Sequence, residues 1–161
     1  MTRWIVRILA ALVLLVALGL TYFMGYRRGA DSQKTPERQD MERAFAESMR
    51  GVTLTGSFTV DGQETDSLRW ERYTVERAEP LGGDLWVFHA RLQFGDTDMS
   101  IPVPVRLLWA GDTPMVSLTD ANIPGLGTFT ARVLFYRDHY AGMWGNPEVS
   151  GLQFGTITRT P

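Results

Sequence analysis

The sequence predicts a mainly β protein: an N-terminal transmembrane helix, a short amphipathic helix, then a small antiparallel β-barrel of about eight strands. A β-sandwich is the alternative. Three observations carry this. An uncharged apolar run opens the chain, the hydrophobic period changes to two at Gly51, and turn signals of hairpin length recur from there to the end. They divide the chain into a transmembrane signal anchor (1–26), a linker with the short helix (27–50) and a β-barrel domain (51–161).

Ile8–Gly25 (ILAALVLLVALGLTYFMG) contains no charged residue. As a helix it would span roughly 27 Å, close to the thickness of a bilayer's hydrocarbon core. Arg7 lies where it can snorkel to the headgroups, and Trp4, Tyr22, Phe23 and Tyr26 fall where aromatic rings settle at the two interfaces. A cleaved signal peptide is the rival reading, with Ala17-Leu18-Gly19 as its best small-residue site, but the apolar run continues through Met24. Arg3 and Arg7 on one side nearly balance Arg27, Arg28 and Lys34 on the other, so charge alone does not orient the anchor. A short basic N-terminal tail ahead of a C-terminal domain favours a single-pass inner-membrane protein with its domain in the periplasm. Cleavage would make it a secreted one.

Residues 27–34 are polar and read as a linker. In the following TPERQDMERAFAESMRG, Thr35 suits an N-cap, Pro36 the first helical position, Glu37 the positive end of the helix dipole and Gly51 the C′ position. Met41, Phe45 and Met49, with Ala44 beside them, form a narrow apolar stripe. That stripe suits a helix resting on the domain or plugging one end of it; the alternative is a dimer contact or a role as accessory subunit of a membrane complex.

Strand one is GVTLTGSFTV, with Val52, Leu54, Phe58 and Val60 on one face, and Asp61-Gly62 turns the chain. In SLRWERYTVER, Leu68 and Trp70 are out of phase with Tyr73 and Val75, which predicts a bulge near Glu71–Arg72. DLWVFHARLQF puts Trp86, Phe88, Ala90, Leu92 and Phe94 on one face. MSIPVPVRLLW aligns Ile101, Val103, Val105, Leu107 and Trp109, while Pro102 and Pro104 require one side of that strand to be unpaired. MVSLTD and TFTARVLFYRD follow. HYAGMWGNPEVSGLQFG reads as the closing hairpin, turning at Asn146-Pro147, with glycines that let rings lie over bare backbone where the sheet curves tightly. On that reading Gly142→Val would crowd the neighbouring rings.

Composition narrows function more than motifs do. From residue 51 onward there are 13 acids against 8 arginines and no lysine, a balance that repels phosphate backbones, so no nucleic-acid partner is expected. The chain has no cysteine, which excludes disulfides and thiolate metal sites. Its two histidines, His89 and His139, lack any metal-ligand spacing, and no nucleophile elbow or phosphate-binding loop is present, so no cofactor and no metal are expected. Asp96, Asp98 and Asp112 lie in turns, where Asp caps its own backbone. The one polar constellation on otherwise apolar strands is His89, Arg91, Arg106, Arg132 and Tyr136. Were those faces turned inward, they would line a cavity for an anionic or amphipathic ligand; turned outward, they meet solvent.

The meander with inward aromatics over 51–159 resembles the calycin (lipocalin-like) barrels, which implies a closed eight-stranded barrel. GVTLTGSF, LWVFHARLQFGD and IPGLGTFTARVLFY are similar to uncharacterised membrane-anchored bacterial proteins, a likeness that implies location and fold and no mechanism. The sequence thus points to a non-enzymatic module that binds an envelope partner or a small apolar ligand. An envelope hydrolase or transferase using acids and His89 is the alternative.

Overall fold

A computed structural model describes residues 34–64 and 68–159. The expected anchor (1–26) and most of the linker lie outside the described residues. Among the described residues no helix is long and apolar enough to cross a membrane.

One helix precedes eight strands: α1 (Pro36–Ser48), β1 (Val52–Phe58), β2 (Arg69–Gly82), β3 (Leu85–Phe94), β4 (Thr97–Ala110), β5 (Thr113–Ile123), β6 (Gly127–Tyr136), β7 (His139–Gly145) and β8 (Ser150–Arg159). Each strand pairs antiparallel with the next, and β8 returns to β1, so the sheet closes into a barrel in simple meander order. This is the closed eight-stranded barrel that the alternation and turns implied, consistent with the resemblance to calycin barrels, and closure removes the sheet edges that a sandwich would leave.

The helix forms where its caps expect it. Thr35 Oγ1 accepts a hydrogen bond from the Arg38 amide at 3.3 Å, and Pro36 occupies the first turn. Its C-cap is Met49, so Gly51, at a φ of +66°, stands one position further out than expected and takes the left-handed turn into β1. The buried face is also rotated. Glu42, Phe45 and Met49 face the barrel and Ala44 is exposed, because Glu42 is carried inward by its ion pair with Lys34 at 2.6 Å. The Arg38 guanidinium lies 4.9 Å from the centre of the Trp109 ring. Phe45 inserts among the rings of Trp86, Phe88, Trp109 and Phe135, at centroid distances of 5.8, 6.3, 6.0 and 5.8 Å. The helix is therefore the plug of one barrel end, and its stripe is covered by this chain's own strands.

β2 departs from the expected register. No bulge occurs at Glu71–Arg72: Glu71 pairs in unbroken sequence with Gly56 on one side and Phe94 on the other. The shifts fall later, between Val75 and Arg77 and between Pro80 and Gly82. Leu68 and Trp70 are simply apolar residues on the outer face, and Glu71 is an acid on the inner one. β4 behaves as its prolines require. It pairs with β3 along 97–106, but its ladder with β5 covers only Arg106–Ala110, so the half containing Pro102 and Pro104 has no ladder on that side.

In the wall formed by β6, β7, β8 and β1, glycines let neighbouring atoms approach closer than a side chain would allow. A Cβ on Gly142 would overlap the Arg132 carbonyl oxygen and stand 2.7 Å from Val133 Cα. The space at Gly142 is thus taken by the backbone of β6, not by the neighbouring rings that the sequence suggested. Gly56 and Gly155 do lie beneath a ring: a Cβ on Gly155 would fall 2.7 Å from Tyr140 Cε1. The turn between β7 and β8 is held by Asn146, whose Oδ1 accepts from the amides of Glu148 and Val149, each at 2.9 Å.

Candidate functional site: a half-hollow barrel

Alternation decides which side chains face the barrel axis, and their size decides whether the interior fills. At the α1 end the inward residues are large: Trp86, Phe88, Leu107 and Phe135, with Phe45 added by the helix. Further along, Ala90, Val103 and Ala131 are small and stand among larger inward residues such as Leu92, Leu118, Phe129 and Trp144. Two adjoining cavities result, of about 160 and 190 Å³, the first in the barrel's middle and the second nearer the mouth. They share the lining residues Tyr73, Leu92, Val103, Leu118, Ala131 and Gln153. Each is comparable to the apolar cavity of about 150 Å³ that stays dry in other proteins and accepts benzene or xenon.

The mouth is bordered by Phe58, Phe94 and Trp144, and the β5–β6 turn places Leu126 there. The wall parts at this end because β4 and β5 share no ladder beyond Arg106. Met99 Cε bridges toward that turn, 2.9 Å from where a Gly125 side chain would begin.

One polar cluster interrupts the apolar lining. Glu71 is only 1% exposed, and its two carboxylate oxygens each accept one phenol: Tyr140 Oη donates to Oε1 at 2.7 Å and Tyr73 Oη donates to Oε2 at 2.8 Å. Burial pushes the Glu71 carboxyl above its ordinary value, and the two phenol hydrogen bonds only partly offset that. Burial and the adjacent carboxylate likewise push both tyrosines upward, so they remain hydrogen-bond donors. Tyr140 can reach Glu71 because its ring lies across Gly56 and Gly155. Gln153 is 9% exposed and lines both cavities, and among the described residues nothing hydrogen-bonds its side-chain amide.

The five residues singled out from the sequence lie on the outside of this wall, and none of them lines either cavity. His89 sits beside Arg77, whose Nη2 is 3.3 Å from both ring nitrogens, and Glu79 Oε2 is 3.5 Å from its Nε2. Arg91 forms a bidentate pair with Asp98, at 2.6 and 2.7 Å, and Arg106 Nη1 donates to both carboxylate oxygens of Asp84, each at 2.8 Å. Arg132 donates to the carbonyls of Leu118 and Ala131 and to Thr119 Oγ1. Tyr136 is exposed, with the Arg137 guanidinium 5.3 Å from its ring centre. His89 and Arg91 share a shallow outer groove, while Arg106, Arg132 and Tyr136 stand apart from it on β4 and β6. Among the described residues no group of three His, Asp or Glu is placed to hold a metal.

Glu71, Tyr73, Tyr140 and Gln153 were not singled out from the sequence. The available signal was the break in phase between Trp70 and Tyr73, which fits an inward acid as well as it fits a bulge.

Fold and interior together describe a plugged, partly hollow eight-stranded meander barrel, consistent with a calycin-like fold, with a buried carboxyl cluster among the described residues. Comparison with models of protein families, with curated proteins and with solved structures finds no match.

Proposed function

We propose that this chain is a binding module that takes a small, largely apolar ligand into the open half of its barrel. The observation that supports this most is the pair of adjoining apolar cavities, closed by Phe45 at one end and reachable at the other, whose lining gathers its polar groups in one cluster. Apolar lining with a few convergent polar groups is the usual composition of a ligand site. Titration with a neutral apolar fluorophore, N-phenyl-1-naphthylamine, tests it. The expected result is saturable one-to-one enhancement that Ala131→Leu abolishes, because a leucine there fills the cavity. Enhancement that does not saturate, or that Ala131→Leu leaves intact, overturns the reading.

The same proposal includes an uncleaved anchor at residues 1–26 and a periplasmic barrel, supported by the uncharged run Ile8–Gly25 and its aromatic flanks. C-terminal reporter fusions active only outside the cytoplasm, on a full-length membrane-bound chain, are the expected outcome. A fusion active in the cytoplasm would reverse the orientation.

A second reading, contact with an envelope protein, is favoured by an apolar belt on the outer wall. Trp70 and Phe154 flank Ser57 on adjoining strands, and Met143 pairs with Leu152. These four side chains are 57, 45, 63 and 52% exposed. A photo-reactive residue at position 154 should give a discrete cross-linked species in intact cells; cross-links only to lipid would exclude a protein partner there.

A further inference from the structure

The chemistry of the cavity lining also selects among apolar ligands, an inference that rests on the cavity-binding reading above. Glu71 is a buried acid with two neutral donors and no cationic partner: its carboxylate accepts from Tyr73 and Tyr140, and among the described residues no Arg, Lys or His lines either cavity. Both oxygens keep lone-pair capacity beyond the one phenol each accepts. Gln153, nine-tenths buried and without a side-chain partner among the described residues, faces the same space with a carbonyl that can accept. A buried carboxylate without a counter-charge is costly, and a cation that shares its cavity removes that cost; a second anion adds to it.

We propose that the occupant is a cationic amphiphile, an apolar chain ending in a single amine, with its ammonium donating to Glu71 and to the Gln153 carbonyl and its chain lying along Leu92, Val103, Leu118 and Ala131. The barrel would accordingly reject fatty acids of the same length. Selection resides in the absence of a cation from the lining as much as in the presence of Glu71, since an arginine there would reverse it.

The test is displacement of N-phenyl-1-naphthylamine from the full chain at pH 7 by octylamine, 1-octanol and octanoate. Octylamine should displace the probe at a concentration at least about tenfold lower than octanoate, as expected when a buried charge gains its partner. The alcohol should fall between them. In Glu71→Gln the amine should lose its advantage over the alcohol, each displacement being read against that variant's own probe titration. Gln153→Leu, which leaves the Glu71–tyrosine cluster intact, should weaken amine binding without removing the preference over octanoate. Octanoate matching octylamine, or an amine preference surviving Glu71→Gln, overturns the inference and leaves cavity binding standing. Failure of the probe itself to bind saturably overturns the cavity reading, and this inference with it.

Discussion

The two ends of the barrel are built from the same strands with the same alternation, yet one is solid and the other hollow. At the α1 end Val52, Trp86 and Leu107 are at most 2% exposed, and Phe45 fills the space among four rings. Further along the axis, Ala90, Val103 and Ala131 are small among larger inward side chains, and two cavities remain. Periodicity thus selects the face that turns inward, while side-chain volume along that face, and whether another element supplies a plug, determines whether the interior closes. The contrast also separates stability from binding. The solid end supplies the dense contacts, and the hollow end forgoes contacts that a closely packed core would make.

Substitutions can break or sharpen this contrast. The largest effect is expected from Gly142→Val, because its side chain would overlap the backbone of β6 at Arg132 and Val133, and backbone cannot give way as a flexible side chain can. The variant should fail to give a cooperative unfolding transition by circular dichroism; a melt like the parent's would contradict the account of the closing wall.

Next is Phe45→Ala, which empties the plug and should cost about 3–5 kcal/mol in urea unfolding. Ala131→Leu, at the hollow end, should cost little or stabilise by about 0.5–2 kcal/mol, as cavity-filling changes commonly do. If the two variants cost the same, the ends do not differ as described.

The smallest effect is in pH dependence. Burial raises the Glu71 pKa above the ordinary 4.5, so the folded state retains a proton that the unfolded chain has already lost. Its contribution to stability is therefore greatest below about pH 4.5 and declines as pH rises through the folded pKa. Relative to Glu71→Gln, the parent should lose stability over that rise; a constant difference between the two would contradict the burial of this carboxyl.

Much of the fold is legible in the sequence because alternation, hairpin turns and prolines each act locally. Pro102 and Pro104 foretell the missing ladder on β4, and Thr35 and Pro36 foretell the start of α1. The departures share a cause, since each depends on a partner distant in sequence. Glu71 turns inward because Tyr140, 69 residues away, and Tyr73 satisfy it, so an acid amid apolar alternation reads locally as a bulge. Glu42 is buried because Lys34 pairs with it, which rotates the helix face away from Ala44. Arg91 and Arg106, whose faces alternation left open, pair with Asp98 and Asp84 on the outer wall. The candidate site was hidden for the same reason: its polar groups come from β2, β7 and β8, and only closure of the barrel brings them together.

Xenon is the most direct probe of a barrel that is solid at one end and hollow at the other, since it enters dry apolar cavities without needing any specific chemistry. In a crystal held under xenon pressure, an ordered atom is expected among Leu92, Val103, Leu118 and Ala131, with none beside Phe45. A barrel that takes up no xenon, or takes it up at the Phe45 end, would contradict the account.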